Sequence, residues 1–214
     1  MNRQNAQRIP LALKIAYTAF VAVLVPYYWV TYTPWNFLYL CDVALLVTLA
    51  ALWLESPFLA STQAVAILLP QALWVVDFGA RFLAGLHLTG LTAYMFNPDI
   101  PLFVRGLSSF HGWLPFLLVW LVLRLGYDRR AFAAQSALGV AILLVCYFLA
   151  PPPPATAVAA VNINYVFGLD DQHAQSWMPP ETWLGLLIAF NLICLFLPTH
   201  VILAKAVQEP PGAT

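Results

Sequence analysis

Charge is what this sequence lacks most. Nine Lys and Arg and nine Asp and Glu make up 8% of 214 residues, and they cancel to a formal net charge of zero. A soluble domain carries roughly 25% charged residues, so this chain cannot cover a water-facing surface. With no net charge and no basic run, no nucleic-acid partner and no polybasic lipid-binding tail are expected. Cysteine is scarce too. Cys41, Cys146 and Cys194 lie in apolar stretches without CxxC spacing, which excludes a disulfide framework. A buried cysteine is ordinarily a small hydrophobe. The four histidines form no HExxH and no close pair, so no metal site is expected. Phosphate loops and dinucleotide fingerprints are missing, and no cofactor is expected. There is no internal repeat and no polar stretch long enough for a soluble domain.

What is present is apolar. Hydrophobic residues make up 62% of the chain and mean hydropathy is +0.81. The chain is expected to be an integral membrane protein. A span needs ~20 mostly apolar residues, and six such runs cover about 11–30, 35–54, 57–80, 102–125, 131–150 and 182–204. The expected fold is all-α: one membrane domain over 1–214, a polytopic bundle of about six helices. The first run is too long for a signal-peptide core and no A-x-A site follows it, so it is expected to be retained. Prolines sit within or near several spans, where neighbouring helices re-satisfy the freed carbonyls.

Lys and Arg divide unevenly. Arg3, Arg8, Lys14, Arg124, Arg129, Arg130 and Lys205 fall on one side, and only Arg81 and Arg105 on the other. By the positive-inside rule both termini are cytoplasmic, in a membrane expected to be the bacterial inner one. The long connections 81–101 and 151–181 then lie outside, beside a Trp- and Tyr-rich belt.

Polar residues gather toward that outer half. Cys41 and Asp42 lie about 9–11 Å into the second span, and His111 about 13 Å into the fourth, at ~1.5 Å per residue. Asp77 nears the outer end of the third span, and His87, Asn162, Asn164 and Tyr165 lie on the outer connections. Ionisable groups inside a span are costly and mark function by default. Each also has a plain reading. Asp77 precedes Arg81 by four residues, the spacing of a helical ion pair. Asp42 could pair with Arg105. The "NINY" stretch, 162–165, could be only a loop with Asx turns. Taken together, a thiol near an imidazole makes a nucleophile with its base, and an acid or amide orients the histidine. Cys41 and His111 are therefore the candidate catalytic pair. Asp42, Asn162, Asn164 and Tyr165 are candidate supporting residues. The acyl carbonyls within reach at this depth belong to membrane lipid.

Three stretches, "FLYLCDVALL", "SSFHGWLPFLL" and "NINYVFG", occur in the order seen in a family of six-span intramembrane lipid hydrolases and acyltransferases. The chain resembles YwaF-like bacterial membrane proteins, androgen-induced fatty-acid-ester hydrolases and the transmembrane acyltransferase of ether-phospholipid synthesis. Tyr39 stands where those proteins carry a histidine. The resemblance implies an acyl-transfer enzyme with Cys41 as nucleophile and His111 as base, and it matches Asn164 and Tyr165 to the third stretch. Two other readings stay open: a non-catalytic protein that binds or transports a lipid or small solute, and a structural subunit.

Overall fold

The computed structural model describes residues 9–153, 162–170 and 173–207, and among these there is helix and no strand. Helix α1 runs Leu11–Tyr32, α2 Leu40–Leu54, α3 Pro57–Ala84, α4 Leu102–Ser108, α5 Phe110–Leu125, α6 Ala131–Leu149, α7 Pro180–Phe190 and α8 Leu197–Ala206. A π-helical segment, Asn191–Phe196, joins α7 to α8. Five helical stretches are long and apolar enough to cross a membrane: α1, α3, α4 with α5, α6, and α7 through α8. The sixth, α2, is apolar but has only 15 residues. The chain is an all-α membrane bundle.

Local chemistry sets the helix ends. Glu55 closes α2 in the left-handed conformation, at φ 47°. Ser56 then caps α3, its hydroxyl accepting from Leu59 N, with Pro57 in the first helical position; both are favourable N-terminal chemistry. Gly85, at φ 67°, ends α3, with Leu86 N donating to Ala80 O, the pattern of a Schellman cap that glycine permits.

Contacts across the chain sort the bundle into two ends. At the terminal end Lys14 Nζ meets Glu55 Oε1 at 2.8 Å. There too Asp128 N donates to Ser61 Oγ at 3.0 Å and Tyr127 Oη lies 2.7 Å from His200 Nδ1. At the loop end Tyr28 meets Ser108, Leu40 meets Asn164, and Trp183 meets Tyr165. Successive helical segments therefore alternate in direction, and the described ends of the chain lie together, beside the basic residues. The core joins α1, α2, α3 and α5, with Tyr127 and Phe196 fully buried within it. A smaller cluster packs α6 and α7 against the entrance to α2.

Two expected spans differ in detail. The run 35–54 is not one helix: Pro34–Leu38 forms a 3₁₀ turn and α2 begins at Leu40. Cys41 and Asp42 are thus in the first turn of their helix, not two turns down. The run 102–125 breaks at Ser109 into α4 and α5, which puts His111 at the second residue of α5.

Candidate functional site

The site forms where α1 to α5 and the 93–96 turn meet at the loop end. Tyr28 reaches it because Tyr17, Val21, Leu24 and Tyr28 form one buried stripe of α1 at helical spacing. Its hydroxyl lies 2.9 Å from Ser108 Oγ on α4. The Ser108 carbonyl sits 2.8 Å from His111 Nδ1. The His111 ring stacks on Trp74 of α3, with centroids 5.6 Å apart. Trp74 Nε1 donates to Tyr94 Oη at 3.2 Å, and the Tyr94 hydroxyl interacts in turn with Ser108. A ring of aromatic and hydroxyl groups results. Gly112 is part of the fit: a Cβ there would stand 3.4 Å from the Trp74 ring.

Asp42 stands against this ring at 3% exposure. It lies near enough to both Tyr28 and Tyr94 to interact with them electrostatically. Cys41 Sγ is 3.7 Å from Asp42 Oδ2, and Asp42 Oδ1 has no hydrogen-bond partner among the described residues. Arg105, the expected counter-charge, donates instead to Met95 O at 3.1 Å. Tyr94 lies on a 3₁₀ turn, Ala93–Phe96, in the connection between α3 and α4. Burial above all holds its phenol above the ordinary value, with Cys41 and Asp42 adding to the rise, so it stays a neutral donor.

Asp77 also differs from its expected pairing with Arg81. Its carboxylate accepts from Thr89 N at 2.7 Å, Thr92 N at 3.0 Å and Thr92 Oγ1 at 2.6 Å. Arg81 lies over the Phe96 ring, 4.6 Å from its centroid. Asp77 thereby ties the 85–101 connection down and fixes Tyr94 over the site. A cavity of about 460 Å³ opens above, between the 89–97 turn and Tyr165 and Leu169, with Tyr94 in its wall.

The candidate residues thus fall into two groups. Cys41, Asp42 and His111 share the ring. Among the described hydrogen bonds, however, none joins the thiol to the imidazole. The thiol faces the Asp42 carboxyl instead. The other three residues brace the connection. Asn164 Oδ1 accepts from Leu40 N at 3.0 Å, and its Nδ2 donates to Leu38 O at 2.7 Å and approaches Cys146 Sγ at 3.6 Å. Asn162 accepts from Phe167 N and donates to the Gly168 and Asp170 carbonyls. Tyr165 O accepts from Trp183 Nε1 at 2.8 Å, and its side chain lines the cavity. His87 is exposed.

Tyr28, Trp74, Tyr94 and Ser108 were not foreseen as site residues. The buried stripe of α1 was the available signal for Tyr28. Compared with family models, curated proteins and solved structures, the chain matches none.

Proposed function

We propose that the chain binds, and carries into the membrane, a small positively charged solute taken from the loop-end cavity onto the Asp42 carboxylate. One observation carries this reading: a carboxylate at 3% exposure with an oxygen that no described residue satisfies. A buried charge is costly unless paired, and a bound cation would pair it. The surrounding chemistry suits a cation. Tyr28 and Tyr94 bring hydroxyl oxygens and aromatic rings to the acid, and cations are attracted to aromatic rings. The large cavity above supplies an approach, with Tyr94 between it and the acid.

The test uses the detergent-purified full chain and tetramethylammonium as probe. A ligand that binds only the folded state raises its stability. Tetramethylammonium should raise the apparent melting temperature of the wild type, sodium at equal ionic strength should not, and Asp42→Asn should abolish the response. No response in the wild type, or an equal one in Asp42→Asn, rejects the reading.

Acyl transfer from a lipid ester is the rival, and it rests on the resemblance. It requires labelling of Cys41 by a lipophilic acyl or thiol-directed activity probe, with loss in both Cys41→Ala and His111→Ala. Labelling that disappears in Cys41→Ala but persists in His111→Ala marks an ordinary thiol.

A further inference from the structure

Asp42 is not the only orphaned group in the bundle. Gln71, Gln63 and Gln135 are each at most 3% exposed and Thr48 is fully buried. Both amide atoms of Gln71, Thr48 Oγ1, Gln63 Oε1 and Gln135 Oε1 have no partner among the described residues. They belong to α2, α3 and α6, which pack on one another through α3. In a membrane such groups cannot turn to bulk water, so each is expensive to leave unmet.

Their depths follow from a rise of ~1.5 Å per residue. Thr48 and Gln63 stand six residues from opposite sides of the α2–α3 turn, both about 9 Å from it. Asp42 is about 18 Å from that turn and Gln71 about 21 Å. Gln135 is about 6 Å from the terminal end of α6. The orphans thus form tiers from the ring down to the terminal end.

We propose that this series is a proton path, with Asp42 as its relay between the loop-end cavity and the terminal end. The inference rests on the Asp42 reading above and adds what else moves there. Buried water typically makes about three hydrogen bonds to polar groups that lack other partners. Amides and hydroxyls donate and accept without titrating, so they order water and hold no charge. About three waters spaced ~2.8 Å apart cover the ~9 Å step from the Thr48 and Gln63 tier to Asp42. A proton arriving past Tyr94 forms an O–H bond on the Asp42 carboxylate. The same oxygen, or its twin, then gives a proton to water below, and the carboxylate is restored. The groups facing Asp42 are Tyr28 from α1, Tyr94 from the 93–96 turn and Cys41 on its own helix, with His111 of α5 across the ring. Among the described residues no Lys or Arg ion-pairs with it, so the carboxyl is free to exchange.

The test reconstitutes the full chain in liposomes that hold a pH-sensitive dye. An external pH step is applied, with valinomycin and equal potassium on both sides for charge balance, and with or without tetramethylammonium. Wild-type liposomes should equilibrate at least ten-fold faster than protein-free ones in one of the two conditions. Asp42→Asn should return to the protein-free rate. Gln63→Leu should slow at least five-fold while binding tetramethylammonium as the wild type does; should it fail to insert, Gln135→Met takes its place under the same criteria. A wild-type rate equal to protein-free liposomes in both conditions overturns the path, and so does an inserted Gln63→Leu or Gln135→Met that conducts like wild type. Asp42-dependent conduction without tetramethylammonium binding leaves the path standing and rejects the solute reading; binding without conduction does the reverse.

Discussion

Leu40 opens α2 with no cap from its own segment, and the cap comes from 124 residues away, through Asn164 Oδ1. Asn164 can serve because it sits at φ 54°, a left-handed conformation that asparagine tolerates better than most residues. Asn164→Ala removes the cap and strains the backbone. It should lower stability by about 1–2 kcal/mol, read as a fall in melting temperature, with the entrance of α2 losing hydrogen-exchange protection first. At the other end Asp128 takes a hydrogen bond of 2.7 Å from Arg130 Nη2. This bond to Arg130 holds its carboxyl below the ordinary value, against burial. The folded state therefore binds the Asp128 proton more weakly than the unfolded chain does. The stabilisation is complete above the unfolded value of ~3.9 and disappears as pH falls through the lower folded value. Wild type should be more stable than Asp128→Asn at neutral pH, and the two melting curves should converge as pH drops below about 4.

Among the elements, the last span departs most from a regular helix. Pro198 has no N–H to donate to a carbonyl one turn back, and the preceding turn, Asn191–Phe196, widens to π geometry. The widened turn carries Phe196 against α6 at Gly139, where an added Cβ would stand 2.9 Å from the Phe196 ring. Gly139→Val should therefore cost about 1–3 kcal/mol by overpacking, and pairing it with Phe196→Leu should recover part of that loss. This seam was not legible beforehand, because a glycine in an apolar run resembles any other. The spans themselves were legible, since apolar length and the Pro and Gly breaks report directly on burial in lipid. What failed was short-range inference about polar partners. Asp77 has Arg81 one turn away, yet it bonds Thr89 and Thr92 from the following connection. Depth put Cys41, Asp42 and His111 in one layer. Their neighbours Ser108 and Tyr94 became visible only with the fold, because Tyr28 and Ser108 are 80 residues apart.

For the whole molecule, the basic residues and the described ends of the chain share one end of the bundle, and the cavity opens at the other. The positive-inside rule predicts that the cavity faces the outside of the cell. In intact cells, with Cys194 replaced by serine, His173→Cys should react with a membrane-impermeant thiol reagent. Arg129→Cys should react only after the cells are opened. The opposite pattern would turn the molecule over and face the cavity to the cytoplasm.

The shortness of α2 has an electrical consequence. On the proposed reading the loop-end cavity is the wet side of Asp42, and most of the membrane voltage then falls across the ~18 Å of α2 between Asp42 and the α2–α3 turn. Moving one elementary charge through the whole voltage involves ~2.3 kcal/mol per 100 mV. A cation that reaches Asp42 from the cavity crosses a small part of that drop, and one that reaches it from the terminal end crosses nearly all of it. Occupancy from the cavity should hardly respond to polarisation, whereas onward release toward the terminal end should accelerate steeply when the inside is negative. A chain with almost no net charge would thus be most sensitive to the cell's electrical state at one buried carboxylate.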